Sequence, residues 1–224
     1  MNSNIFTIFE NIKEMLHYRN DNIDKFKEDI KHFNITHINE PIELYTDKTC
    51  VIFLLTKLAK KVIIDQLKPV KKSKKKDEEI EEEEISDVNT VKEHHKQFVA
   101  SHNNFLNYIL IFNENEITSA DKKLLILFDK ILQQAGGLLS VFIDSELYYN
   151  PTKHELVDKH RKLTQDEIKD LMSKYNIKSK SSLPLILKNS DPIAKWLGLK
   201  SGDIVEIDRY NLNSGLTKYY RACV

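Results

Sequence analysis

The sequence predicts an α/β domain over residues 1–150 and a small α+β domain over residues 151–224. Three observations carry this expectation. Up to Ile143, short apolar runs alternate with stretches of helical periodicity, and a strand–helix–strand order with tight connections suggests a βαβ unit. Beyond residue 150 the texture changes to short, capped helices followed by two strands around a turn cluster. The charge divides as well. Residues 151–224 carry 14 basic and 9 acidic residues, net +5, and the rest of the chain is net −5.

Ile5, Ile8, Phe9, Ile12, Met15 and Leu16 recur at helical spacing and predict a first helix reaching Arg19. Phe26, Ile30 and Phe33 mark a weaker second one. Val51 to Leu55 is an apolar run suited to a buried strand, and Leu58, Val62, Ile63 and Leu67 predict a helix after it. Lys68 to Asp87 then reads as a basic block followed by an acidic block, a charged insertion reaching about residue 90. Such a tract buries too little apolar surface to offset its ordering entropy and is expected as a solvated loop or charged surface helix. A helix carrying His95, Phe98, Val99 and His102 leads to a strand over Tyr108–Phe112. Ser119 is read as the cap of a helix with Leu124, Leu127, Phe128, Ile131 and Leu132 inward, stopped by Gly136-Gly137. Leu139 to Ile143 is the next strand.

In the last third, Thr164 and Glu167 have capping-box spacing, and Ile168, Leu171, Met172 and Tyr175 supply that helix with a buried face. Asp191-Pro192 starts another helix, with Ile193, Trp196 and Leu197 inward and Gly198 at its end. Leu185–Leu187 is a short strand. Ile204, Val205 and Ile207 form a strand that returns through Asn213-Ser214-Gly215 as Leu216–Cys223.

A formal charge of +0 excludes a protein that coats nucleic acid by overall basicity. No apolar run of membrane-spanning length occurs. Cys50 and Cys223 are read as reduced thiols, and neither a disulfide framework nor a four-cysteine zinc site is available. The 30 Lys and 4 Arg, with much Asn and Ile, fit AT-rich codon usage. No glycine-rich phosphate loop, nucleophile elbow, zinc-protease motif or C-x-x-C pair is present. His94 and His95 are adjacent and point apart on a helix. A metal-dependent nuclease needs clustered carboxylates and a lysine. Asp144 and Glu146 end a strand with no lysine following in register, and Glu167 is occupied by its cap. No catalytic residue, metal or cofactor is expected.

The C-terminal third carries a spaced series of residues. It runs His154-Glu155-Leu156-Val157, Lys159-His160, Leu163, Glu167, Tyr175, Leu183-Pro184 and Asp191-Pro192, then Ala194, Leu197-Gly198-Leu199-Lys200, Gly202, Val205, Ile207, Arg209, Ser214-Gly215 and Tyr220-Arg221. This series closely resembles the fifth common subunit of eukaryotic DNA-directed RNA polymerases. The archaeal counterpart of that subunit corresponds to this part alone. Ile12–Leu16, Arg19 and Asn115–Lys122 resemble the family's N-terminal part, and the lysine–glutamate tract stands as an insertion.

The resemblance implies an N-terminal jaw domain with a restriction-endonuclease-like core lacking an active site, lying near downstream duplex DNA. It implies a C-terminal assembly domain that holds the largest polymerase subunit. The jaw's proline-rich segment has no counterpart here, so no DNA-contacting residue is carried over. His154, Glu155, Lys159, His160, Lys200, Arg209, Tyr220 and Arg221 are the candidate partner-binding residues, being polar and left over once caps, turns and core are assigned. The implied location is the nucleus or, for a viral polymerase, the virion and a cytoplasmic virus factory. The rival readings are a restriction-like nuclease and a free-standing transcription regulator built on the same module.

Overall fold

The computed structural model describes residues 2–31, 39–68, 88–113, 117–213 and 215–224. Of the charged tract Lys68–Asp87 only Lys68 is described, and Phe33, Asn115, Glu116 and Ser214 also lie outside the described residues. The protein is mixed α/β and forms two compact units, one from residues 24–139 and one from residues 1–23 with 140–224.

The first of these is built on β1 (Ile42–Tyr45), β2 (Thr49–Leu54) and β3 (Asn107–Phe112). β1 and β2 pair antiparallel, with Tyr45 opposite Cys50. The Thr46 hydroxyl closes their turn by accepting the Thr49 N–H at 2.8 Å. β1 escapes the sequence reading because it is four residues long and buries only Leu44. β2 and β3 pair in parallel, Val51 opposite Ile109. Every residue of β2 is buried, as a parallel pair covered on both faces requires. The crossover between them contains α3 (Lys57–Leu67) and α4 (Val88–Ser101), and α2 (Asp24–Lys31) buries Phe26.

α5 (Ser119–Gln134) corrects the expected cap and buried face. Its cap is Thr118, whose hydroxyl accepts from Asp121 N–H while the Asp121 carboxylate accepts from Thr118 N–H. The buried face runs through Asp121, Leu125, Phe128, Asp129 and Leu132. Leu124, Leu127 and Ile131 are half-buried. The face turns because both acids are satisfied inside: Asp121 pairs with Lys60 at 3.0 Å, and Asp129 accepts from Leu139 N–H at 3.2 Å. α3 departs similarly: Leu58 and Val62 are exposed, and Ala59, Ile63, Ile64 and Leu67 are buried.

The second unit contains α1 (Asn2–Tyr18), β4 (Leu138–Ile143), whose first two residues belong to the other unit, and 3₁₀ turns at Asp144–Leu147 and Pro151–Lys153. A second sheet follows in the order β5-β7-β8-β6, from β5 (Lys159–Lys162), β6 (Leu185–Ile186), β7 (Ile204–Asn211) and β8 (Gly215–Cys223). α6 (Gln165–Lys174) covers one face, where Ile168 and Leu171 pack with Leu163 and Ile204. α7 (Pro192–Leu197) covers the other, where Ala194 and Leu199 pack with Ile186, Val205, Ile207 and Cys223. Both helix starts agree with the sequence reading. Thr164 and Glu167 form the capping box, and Asp191 accepts from the N–H groups of Ile193 and Ala194. Gly198 closes α7 in the left-handed conformation. Tyr175 is a correction: as the C-cap of α6 it is exposed, its ring 6.3 Å from Tyr220. The expected boundary at residue 150 falls inside this unit, because α1 packs with the residues after Ser140.

Two buried histidines, His95 on α4 and His102 just after it, make the first unit sensitive to pH. His102 Nδ1 donates to the Phe98 carbonyl at 2.8 Å, and Nε2 lies 3.3 Å from the Glu43 carboxylate. Burial disfavours the imidazolium, but the bonds to Glu43 and Phe98 outweigh it and raise the pKa of His102. The bond to His102 lowers that of Glu43. The His95 ring lies 5.0 Å from that of Phe128, tilted by 54°, without a well-formed side-chain hydrogen bond, and burial pushes its pKa down to about 4. A raised histidine pKa gives stability that is present below the unfolded value and lost as pH rises through the folded one. A depressed histidine pKa gives stability that is lost as pH falls towards the folded value. The melting temperature is therefore expected to fall on both sides of neutrality. His102→Gln should flatten the alkaline decline and His95→Phe should lessen the acid decline. An unchanged alkaline limb in His102→Gln contradicts this assignment.

The end of α5 supplies a second test. Gly136 has φ +79° with open space around it, whereas a Cβ on Gly137 would lie 2.3 Å from the Leu106 carbonyl oxygen. Gly136→Ala should cost about 1 kcal/mol through backbone strain. Gly137→Ala should cost about 3 kcal/mol or more, since backbone must move. Denaturant titration of both variants checks the order, and equal losses would contradict it.

Candidate functional site

The site follows from the alternation of side chains across the second sheet. In register, His160 faces Ile207, Ile207 faces Tyr219, and Val205 faces Arg221. His160, Arg209, Tyr219 and Arg221 therefore share the face that α7 covers in part. Where α7 stops covering it, a cleft of about 480 Å³ opens. Its walls are the sheet, the start of α7 at Asp191–Ile193, and the segment from Tyr149 to Asp158.

That segment is shaped locally. Asn150 caps the Pro151–Lys153 turn by accepting Thr152 N–H at 2.9 Å. The next turn is closed by Val157 N–H to the His154 carbonyl at 2.9 Å, and His154 Nδ1 accepts from Leu156 N–H at 3.2 Å. Leu156 is left 86% exposed at the rim. His160 Nδ1 donates to the Asp158 carbonyl at 2.6 Å. Arg209 Nε lies 3.5 Å from the Asp158 carboxylate, and its guanidinium sits 5.8 Å from the centre of the Tyr219 ring. Arg221 Nη1 reaches the Leu185 carbonyl at 3.4 Å, and its Nε makes no hydrogen bond.

The structure thus gathers four of the eight candidates, His154, His160, Arg209 and Arg221, in one cleft. Glu155 lies exposed in the loop beside it but does not line it. Lys159 is exposed and opposite Asp208, on the other face. Tyr220 is also on that face, its hydroxyl donating to Glu206 at 3.2 Å. Lys200 is half-buried. Its N–H bonds the Asp203 carboxylate at 2.7 Å, and burial, with Lys162 nearby, lowers its pKa.

The far face holds a cluster that the sequence reading missed. The buried Glu206 carboxylate meets Arg161 at 3.0 Å and Lys218 at 2.9 Å, and Arg161 also holds Glu167 at 2.8 Å. Burial alone would raise the pKa of Glu206, but these cations lower it. The bonds from Thr164 N–H and Arg161 hold Glu167 at about 2. β5 reads as Lys-His-Arg-Lys, with no apolar residue to announce a strand. Only the pairing of Arg161 with Glu206 across β5 and β7 gives it away.

The carboxylates considered for metal chemistry have structural partners. Asp144 accepts from Ser145 N–H at 2.9 Å. Glu146 accepts from Ile143 N–H at 2.9 Å and pairs with Lys195 of α7 at 2.5 Å. Among the described residues, no group of three or more His, Cys, Asp or Glu side chains could hold a metal ion. No described helix is long and apolar enough to cross a membrane.

The family model for the RNA polymerase Rpb5 C-terminal domain matches residues 149–223, which include all eight candidate residues. The chain is 37% identical over 118 residues to the DNA-directed RNA polymerases I, II and III subunit rpabc1 of Dictyostelium discoideum. That match spans 53% of this chain and 57% of the relative. It is 47% identical over 76 residues to the DNA-directed RNA polymerase subunit Rpo5 of Pyrococcus abyssi, spanning 34% of this chain and 90% of the relative. It is 38% identical over 87 residues to the subunit RPABC1 of Caenorhabditis briggsae, 39% of this chain and 40% of the relative.

Proposed function

Because the chain belongs to the family of the fifth common subunit of DNA-directed RNA polymerases, we propose that it is a non-catalytic subunit of such an enzyme. Residues 151–224 serve as its assembly domain and dock on the largest subunit. Residues 1–150 serve as a jaw with a restriction-endonuclease-like core beside downstream duplex DNA. The place of action is the nucleus, where the eukaryotic relatives named for polymerases I, II and III would work.

One observation carries the docking part of this reading. The stretch matched by the family model, 149–223, contains a whole sheet with both covering helices, and half of the candidate polar residues meet in one cleft on it. A solvated cleft with exposed Leu156 and Tyr149 at its rim suits a protein surface. The non-catalytic part is supported by the carboxylates themselves. Asp144, Glu146 and Glu167 each spend their oxygens on caps or ion pairs. The jaw's place beside DNA rests on the family resemblance.

The test is recovery of the tagged full chain from its source cell at moderate salt, with partners identified by mass. The expected result is co-purification with the largest subunit and the other subunits of one RNA polymerase. A chain recovered without polymerase subunits would overturn the proposal.

A further inference from the structure

We propose that the cleft seats an extended acidic segment of the docked subunit, one carrying a carboxylate beside a large apolar side chain. This inference rests on the docking reading above and names the chemistry of the partner surface.

The chain uses Arg sparingly, with 4 Arg against 30 Lys. Arg offers what Lys cannot, a planar fork that binds a carboxylate through two parallel bonds. Two of the four spend their forks inside the chain. Arg19 donates to two backbone carbonyls and the Ser140 hydroxyl. Arg161 bridges Glu167 and Glu206 at 2.8 and 3.0 Å. The other two are Arg209 and Arg221, and both line the cleft. Their contacts within the chain are long: 3.5 Å from Arg209 to Asp158, and 3.4 Å from Arg221 to the Leu185 carbonyl. The unused donors of these forks point to an acceptor supplied from outside.

Charge complementarity gives the sign of the occupant. Two guanidiniums, Arg209 and Arg221, share the lining with two acids, Asp158 and Asp191. Asp191 is committed to the first N–H groups of α7. Asp158 already faces Arg209, which leaves Arg221 with no carboxylate partner among the described residues and favours a carboxylate on the occupant.

Apolar surface beside it gives the rest. Tyr149 and Tyr219 are 53% and 41% exposed, and Leu156 projects at the rim. A volume of about 480 Å³ matches sites that take small ligands or a few side chains. A peptide segment offers both features at once. A nucleic-acid strand would leave Leu156 without an apolar partner.

The experiment uses the full chain within the co-purified polymerase. A photo-crosslinking phenylalanine analogue replaces Tyr219 in one variant and Tyr220, on the opposite face, in another. Arg209→Glu and Arg221→Glu are compared with Arg209→Lys and Arg221→Lys for retention in the complex, with melting temperature confirming the fold. The probe at residue 219 is expected to attach to a segment of the largest subunit with Asp or Glu within a few residues. Each Glu variant should weaken retention about tenfold or more, and each Lys variant should lose less. With the polymerase still co-purifying, attachment from residue 220 alone, or attachment of residue 219 to a basic segment or to nucleic acid, overturns the inference by itself. If the unmodified chain does not co-purify with polymerase, the docking reading fails and takes this inference with it.

Discussion

The arrangement of the C-terminal unit depends on one half-buried arginine. Arg19, at the end of the first helix, donates from Nη2 to the Lys195 carbonyl at 2.6 Å and from Nε to the Trp196 carbonyl at 3.1 Å. These are carbonyls of the last turn of α7, where the Lys195 carbonyl also accepts from Gly198 N–H at 3.2 Å. A cation there also meets the negative end of the helix dipole. Burial pushes the pKa of Arg19 down to about 10, so it keeps its charge at neutral pH. The same guanidinium holds the Ser140 hydroxyl at 3.2 Å. Three segments far apart in sequence are thus tied at one point.

The first helix also holds the other wall of the cleft. Glu14 accepts from Asn150 at 2.7 Å and pairs with Lys153 at 2.6 Å, which fixes the turn containing Pro151. Asn11 donates to the Leu147 carbonyl at 2.8 Å. Lys195 reaches back from α7 to Glu146. Both flanks of the cleft are therefore set from outside the sheet that forms its floor. The far face of that sheet is different in kind. There Glu206, Arg161, Lys218 and Tyr220 satisfy one another, whereas the guanidiniums of the cleft face have donors to spare.

Local signals in the sequence were legible because their causes are local. The Thr164–Glu167 box, the Asp191-Pro192 start and the Gly198 stop each need only a few neighbouring residues. The buried strands Thr49–Leu54 and Asn107–Phe112 were legible because strands covered on both faces read as unbroken apolar runs. The polar strand β5, the buried acids Asp121 and Asp129, and the exposure of Tyr175 were not, because partners distant in sequence decide them. Four of the eight candidate residues met in the cleft, and the other four did not. Adjacent strand residues such as Tyr220 and Arg221 face opposite ways, and only the register tells which way each faces. The tie between Arg19 and α7 spans 176 residues and has no local signature.

Amide hydrogen exchange of the full chain carrying Arg19→Met tests this dependence most directly. Protection in α7 and in the turn at 151–153 should fall by more than about tenfold, while Thr49–Leu54 and Asn107–Phe112 in the other unit keep theirs. Unchanged protection in α7, or an equal loss across both units, would contradict the dependence on Arg19.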